Sequence, residues 1–204
     1  MASVVDGRRR VELWTVTTRS LQLGLLPALL VLASLAVPTV ASASTKCADA
    51  NLMPAAGTTL ALSNATLCLL NEERASRGLK PLSSNSKLRR AAQSHSLQMV
   101  RNRFFDHISP AGSTLMSRVR RGTTYLSGAR SWSLGENIAW GCGDYATPAS
   151  TVDMWMKSAG HRKNILNRKF RHVGVGIALG TPEDTGTGMP AATFTTDFGA
   201  RTLR

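Results

Sequence analysis

Val173-Gly174-Val175-Gly176-Ile177-Ala178-Leu179, followed downstream by Phe194-Thr195-Thr196-Asp197-Phe198, decides the fold of this chain. In the first segment Val173, Val175, Ile177 and Leu179 alternate with small residues, and in the second Phe194, Thr196 and Phe198 alternate with their neighbours. That period of two is the signature of strands. The Gly- and Pro-containing stretch from Gly180 to Pro190 joins them, most simply as an antiparallel pair with an enlarged loop. Glu136 to Trp140 reads as a further strand.

Upstream the spacing is helical. Leu62, Ala65, Leu69 and Leu70 share one face, and Gly78 and Pro81 supply the stop. Ser84 or Asn85 caps a second helix with Leu88, Ala91 or Ala92, His95 and Met99 in one stripe. His95 is expected there as a hydrogen-bonded core residue. A short third helix spans Thr114 to Arg121 and ends at Gly122. A fourth opens at Thr147-Pro148 and carries Val152, Trp155 and Met156 inward. Helices followed by a terminal antiparallel sheet predict an α+β fold with helices packed on the sheet.

Residues 1–43 read as an export signal. Arg8, Arg9, Arg10 and Arg19 precede an apolar run from Leu21 to Val40, and Ala41-Ser42-Ala43 fits a cleavage site. Gln22, Gly24, Pro27 and Pro38 make that run a poor permanent span, so no membrane segment is expected after cleavage. Residues 44–60 form a flexible lead-in without a period, and residues 61–204 the single folded domain. The mature chain keeps 21 basic against 10 acidic residues, or +11. Such a surface attracts polyanions. With aromatic residues at 5% and an export signal, anionic cell-envelope polymers or lipids are favoured over specific nucleic-acid binding by Arg101–Arg103 or Arg118–Arg121. Export also permits a disulfide, and three cysteines allow three pairings. Cys47–Cys68 is the expected one, because it would tie the lead-in to the first helix; Cys142, within Gly141-Cys142-Gly143, stays outside it.

Three segments carry the chemistry: Phe104-Phe105-Asp106-His107-Ile108-Ser109-Pro110, Gly135-Glu136-Asn137-Ile138-Ala139-Trp140 and Gly160-His161-Arg162-Lys163-Asn164-Ile165-Leu166. None has local metal-ligand spacing. Trp132, Trp140 and Trp155 read as core rather than as a ligand groove.

In this order, and together with Leu70-Asn71-Glu72-Glu73-Arg74, Gly78-Leu79-Lys80-Pro81-Leu82, Ala91-Ala92-Gln93-Ser94-His95-Ser96 and Trp155-Met156-Lys157-Ser158, these segments resemble the CAP superfamily of cysteine-rich secretory, antigen 5 and pathogenesis-related proteins. The Gly-His-Arg-x-Asn-Ile-Leu form looks like its bacterial branch. The resemblance implies a three-layer α-β-α sandwich, with an antiparallel sheet between helices and a cleft holding two histidines and two acids. Position by position, the histidines fall on His107 and His161 and one acid on Glu136. The second acid falls on Ser158, which has no carboxylate.

His107, Glu136 and His161 are therefore the expected metal ligands, suited to weak binding of Zn²⁺ or another divalent cation. The function expected is that of a secreted extracellular or cell-envelope binding module for lipid or anionic polymer. The competing reading is a hydrolase acting on peptide or cell-wall bonds, either metal-assisted or with Ser158, His161 and Glu136 as nucleophile, base and orienting acid. No nucleophile elbow supports the latter.

Overall fold

The computed structural model describes residues 47–203, and the expected export signal lies outside them. Helix α1 (Thr59–Ala75) is followed by a two-residue strand β1 (Ser83–Ser84) and helix α2 (Ser86–Arg101). Asn85 caps α2 by accepting from the backbone N–H groups of Lys87 and Leu88. Helix α3 (Leu115–Gly122) starts with a reciprocal capping box between Thr114 and Ser117. Then come β2 (Ala129–Cys142), α4 (Pro148–Lys157, with Thr147 as cap), α5 (Ala159–Ile165), β3 (His172–Leu179) and β4 (Ala191–Leu203).

The four strands lie in the order β1-β3-β4-β2, antiparallel except for the short parallel β1–β3 pair. Alternation along the strands divides the sheet into two faces. Val173, Val175, Ile177, Phe194 and Phe198 join Leu62, Leu69 and Leu70 of α1, Val152 and Trp155 of α4 and Ile165 of α5 in the main core. The opposite face carries α2 and α3, where Leu88, Ala91, Val119 and Tyr125 form a smaller cluster. The chain is thus an α+β three-layer sandwich. Trp155 is core as expected, whereas Trp132 is 49% exposed.

The glycines of β3 are required by close approach. A Cβ on Gly174 would stand 2.0 Å from the Arg89 backbone nitrogen, and one on Gly176 would stand 2.1 Å from that of Gln93. Helix α2 therefore lies directly on the strand. Gly176→Ala should cost roughly 1–3 kcal/mol through overpacking, read as a lowered urea midpoint with an unchanged slope. An unchanged midpoint would show that α2 can ride away from the sheet.

Beyond β1 the outer edge of β3 has no neighbouring strand among the described residues, and side chains take its place. The Gln93 amide donates to the Ile177 carbonyl (2.8 Å) and accepts from the Ile177 N–H (3.0 Å), while Ser63 donates to the Val175 carbonyl (3.2 Å). Buried Arg74 performs a similar service between layers. It donates to the carbonyls of Lys80, Ile165, Asn167 and Phe170, pinning the end of α1 to α5 and to the approach to β3. These contacts account for Arg74 and Gln93, one polar position in each of two quoted motifs.

Cys47 and Cys68 form the expected disulfide, 21 residues apart, a closure worth about 3 kcal/mol in the loop model. The lead-in, expected to be flexible, is seated from residue 47 onward. Cys47, Ala50 and Pro54 are buried, and the Ala50 carbonyl accepts from the Ala149 N–H at the start of α4. The disulfide and that bond hold a segment whose composition carries no periodic signal. Cys142 is unbridged and half-buried, its Sγ 3.6 Å from the Thr185 hydroxyl.

Candidate functional site

The loop between α2 and α3 carries His107 and is fixed from three sides. The buried His95 ring meets the Asp106 carbonyl at 2.9 Å, the Asp106 carboxylate accepts from the Ile108 N–H, and Arg118 of α3 donates to the carbonyls of His107 and Ser113. His95 is thus the core residue its position predicts, and it supports the loop bearing the site.

Glu136 sits on β2, with its neighbours clamped on the other face. Asn164 of α5 donates to the Glu136 carbonyl (3.1 Å) and to the Asn137 side-chain oxygen (2.9 Å), while Asn137 donates to the His161 carbonyl (3.2 Å). A Cβ on Gly135 would meet the Phe170 ring at 2.8 Å. Gly135, Asn137 and Asn164 therefore lock β2 to α5, fixing Glu136 and His161 relative to each other.

The structure brings His107 and Glu136 into direct contact, with His107 Nδ1 and Glu136 Oε1 2.8 Å apart. The other oxygen, Oε2, accepts from Arg118 Nη2 at 2.5 Å, and the Glu136 side chain is only 3% exposed. Burial alone would raise this carboxyl. The His107 hydrogen bond and the Arg118 charge outweigh it and hold the group below its usual range.

Directly across the ladder from Glu136 is Asp197 of β4, fully buried. Burial and the neighbouring Glu136 charge push its carboxyl well above the ordinary value, against the opposing pull of Arg118. Fixed donors alone leave both Asp197 oxygens without a partner. A protonated Asp197 that donates to Glu136 removes part of that shortfall, so the neutral acid is the form that fits.

His161 is buried, its ring centroid 6.5 Å from that of Trp155, and its Nδ1 has no hydrogen-bond partner among the described residues. Burial lowers its proton affinity, and the charge of His107 lowers it further, an interaction that links the two imidazoles electrostatically. Ser158 lies at the α4–α5 junction, where its carbonyl accepts from the Arg162 N–H. Among the described residues no hydrogen bond joins its hydroxyl to His161, so the Ser158–His161–Glu136 relay is not assembled.

The three expected metal ligands do not form a ready three-ligand site. Among the described residues their ligand atoms do not all come within 4.8 Å of one another; the trio that does is Cys47, Cys68 and Glu72, whose sulfurs are joined in the disulfide. Both Glu136 oxygens are already engaged. Glu136 stands behind His107 as the group that fixes its ring.

Arg118 and Asp197 are the members that sequence reasoning missed. Arg118 was legible only as one arginine in a basic run, and Asp197 only as a polar position in an alternating strand. A carboxylate inside a strand flanked by Phe194 and Phe198 was the available signal.

Residues 67–195 match the profile of the cysteine-rich secretory protein (CAP) family. The chain is 43% identical over 109 residues to the uncharacterized protein YkwD of Bacillus subtilis, covering 53% of this chain and 39% of that one. It is 34% identical over 111 residues to the uncharacterized membrane protein YlbC of the same organism, covering 54% of this chain and 30% of that protein. It therefore spans well under half the length of these curated relatives. Among solved structures it resembles an extracellular protein containing an SCP domain from Bacillus anthracis (28% identity, TM-score 0.52, 71% of this chain and 40% of that one). It shares its fold with an outer surface protein of Borrelia burgdorferi (21% identity, TM-score 0.53, 67% of this chain and 90% of that one). No helix of the described residues is long and apolar enough to cross a membrane. With the family profile matched across most of the described residues, the sheet between helices and the quoted motifs in their places, this chain belongs to the CAP family.

Proposed function

We propose that the protein is an exported binding module of the extracellular space or cell envelope, engaging lipid or anionic polymer, with a cleft that holds a divalent cation weakly. The observation that carries this reading is the saturation of Glu136: one oxygen meets His107 and the other meets Arg118. A carboxylate held in this way braces a loop. It is poorly placed to take a proton from a water or a hydroxyl, as hydrolysis would require. The absence of a Ser158–His161 hydrogen bond among the described residues weighs in the same direction.

In this reading His107 and His161 are the cation donors, and Glu136 orients His107. Calorimetric titration with Zn²⁺ should show weak binding by the wild type and loss of most of it in His107→Ala and His161→Ala, with folding retained. Coordination needs neutral imidazoles, so affinity should fall as pH drops through the ordinary histidine range. Identical heats in all three proteins would assign the zinc to another site. Mass spectrometry of the protein purified from its native envelope tests the binding role itself. A stoichiometric lipid or polymer fragment supports it, whereas an empty protein that releases envelope fragments supports a hydrolase.

A further inference from the structure

A second polar concavity lies beside the site, between α2 and α3. Its volume is 410 Å³, and its lining includes Arg90, Ser94, Ser117, Arg118 and Arg121 together with Gly112 of the connecting loop. The way it arises is plain in the sequence. Arg90 and Ser94 are one turn apart on α2, and Ser117 and Arg121 are one turn apart on α3, so two facing helices each present a hydroxyl and a guanidinium.

The electrostatics of this groove are one-sided. Among the described residues no carboxylate lines it. Arg90 and Arg121 are exposed and make no ion pair among those residues. Arg118 has its charge met by Glu136, but its Nε–H is buried and lacks a partner, in a side chain only 4% exposed. That buried N–H lies out of reach of the groove, so the exposed Arg90 and Arg121 are the groove's available cationic donors. Two unpaired guanidiniums and the Ser94 hydroxyl, which has its proton free to donate, describe a seat for a compact, multiply charged oxyanion.

We propose that the α2–α3 groove is an anion-binding site that recognises the phosphate group of a phosphate ester. A carboxylate offers two oxygens and one charge, and would leave one guanidinium unmatched. A phosphate offers more acceptors and up to two charges, matching both arginine forks. The groove is also large enough for part of the group the phosphate esterifies. Such a phosphate could come from a soluble envelope polymer or from a lipid headgroup, and the chemistry at the groove is the same. The proposal deepens the binding-module reading and rests on it only for the biological source of the ligand.

Generic attraction to a basic protein is the alternative to exclude. Another acid-free patch, lined by Arg74, Lys80, Arg168 and Arg171, has comparable charge but lacks the serine hydroxyls. The test therefore pairs R90Q/R121Q with K80Q/R168Q, which removes the same charge from exposed positions in that other patch. Neither pair touches Arg118, whose loss would disturb Glu136.

Titration of the protein with glycerol phosphate, followed by amide NMR, should shift Ser94, Gly112, Ser117 and Gly122. R90Q/R121Q should weaken binding by about tenfold or more, the order expected when charge-assisted bonds are lost, while K80Q/R168Q should change it less than about twofold. Equal weakening by both pairs, or shifts confined to other surfaces, would overturn the groove assignment.

Cosedimentation with phosphatidylglycerol vesicles, compared with binding of soluble poly(glycerol phosphate), then identifies the source. Loss of either interaction in R90Q/R121Q alone supports the groove and names its ligand. Polymer or vesicle binding that survives R90Q/R121Q overturns the groove while leaving the binding-module reading intact. Glycerol phosphate binding without any polymer or vesicle binding supports the groove and counts against that reading.

Discussion

Arg118→Met should destabilise the protein by about 3–5 kcal/mol, the usual cost of removing one member of a buried ion pair. The Arg118 and Glu136 side chains are 4% and 3% exposed, and their contact is 2.5 Å. Without the guanidinium, the Glu136 charge would face Asp197 with only His107 to balance it. The carbonyls of His107 and Ser113 would also lose their donor. R118M/E136Q should recover much of the loss, because it removes the stranded charge as well. Exposed Arg120→Gln, in the same basic run, should change stability by no more than about 0.5 kcal/mol. Urea denaturation of the three variants separates the roles. Equal, small effects at Arg118 and Arg120 would mean that Arg118 belongs to a solvated basic face after all.

Acid should destabilise the fold through its buried histidines. Burial pushes His95 down to about 4 from an ordinary 6.5. A depressed value means that the neutral ring is the folded form, so its contribution is complete above the unfolded value and is lost as pH falls through the folded one. Over the window from 6.5 to about 4 the loss amounts to roughly 3 kcal/mol at 1.36 kcal/mol per decade of proton affinity. His161 and His172 are also depressed, chiefly by burial, and act in the same direction. Glu136, depressed as well, loses its contribution as pH falls below the ordinary carboxyl value and through its own lowered one.

Asp197 acts oppositely. Its raised value favours the fold while protonated and costs stability as pH rises through that value. Asp197→Asn should therefore be neutral or stabilising at neutral pH. Denaturant-derived stabilities measured across the acid range should fall for the wild type and fall less for His95→Asn. A parallel decline in the two proteins would remove His95 as a source of the acid sensitivity.

The layers were legible in the sequence because each rests on a repeating signal. Helix α2 carries an unbroken stripe from Leu88 to Met99, while β3 alternates over its length and β4 between Phe194 and Phe198. Strand β1 was missed because two residues cannot display a period; it exists only by pairing with His172 and Val173. Strand β2 proved longer than the expected segment because Ala129 to Ser133 are held by the ladder to β4, not by an apolar pattern. The separate helix α5 was hidden inside a motif read for its histidine.

The site was half-legible for a related reason. His107 and Glu136 are 29 residues apart, and only their order among the quoted motifs linked them. The second carboxyl of the site lies not near Ser158 but on β4, where strand register sets Asp197 opposite Glu136. Register is a property of pairing and cannot be read from one strand. Likewise, Arg118 becomes distinct from Arg120 and Arg121 only when α3 turns it toward the sheet and the others toward solvent.

The most direct test of the binding-module account is to incubate the purified protein with isolated cell envelopes, then measure both what cosediments and what is released into solution. The account predicts that the protein cosediments, that rising salt weakens this association, and that no envelope fragments appear in the supernatant. Release of soluble fragments that is abolished in Glu136→Gln would contradict it and establish a hydrolytic centre.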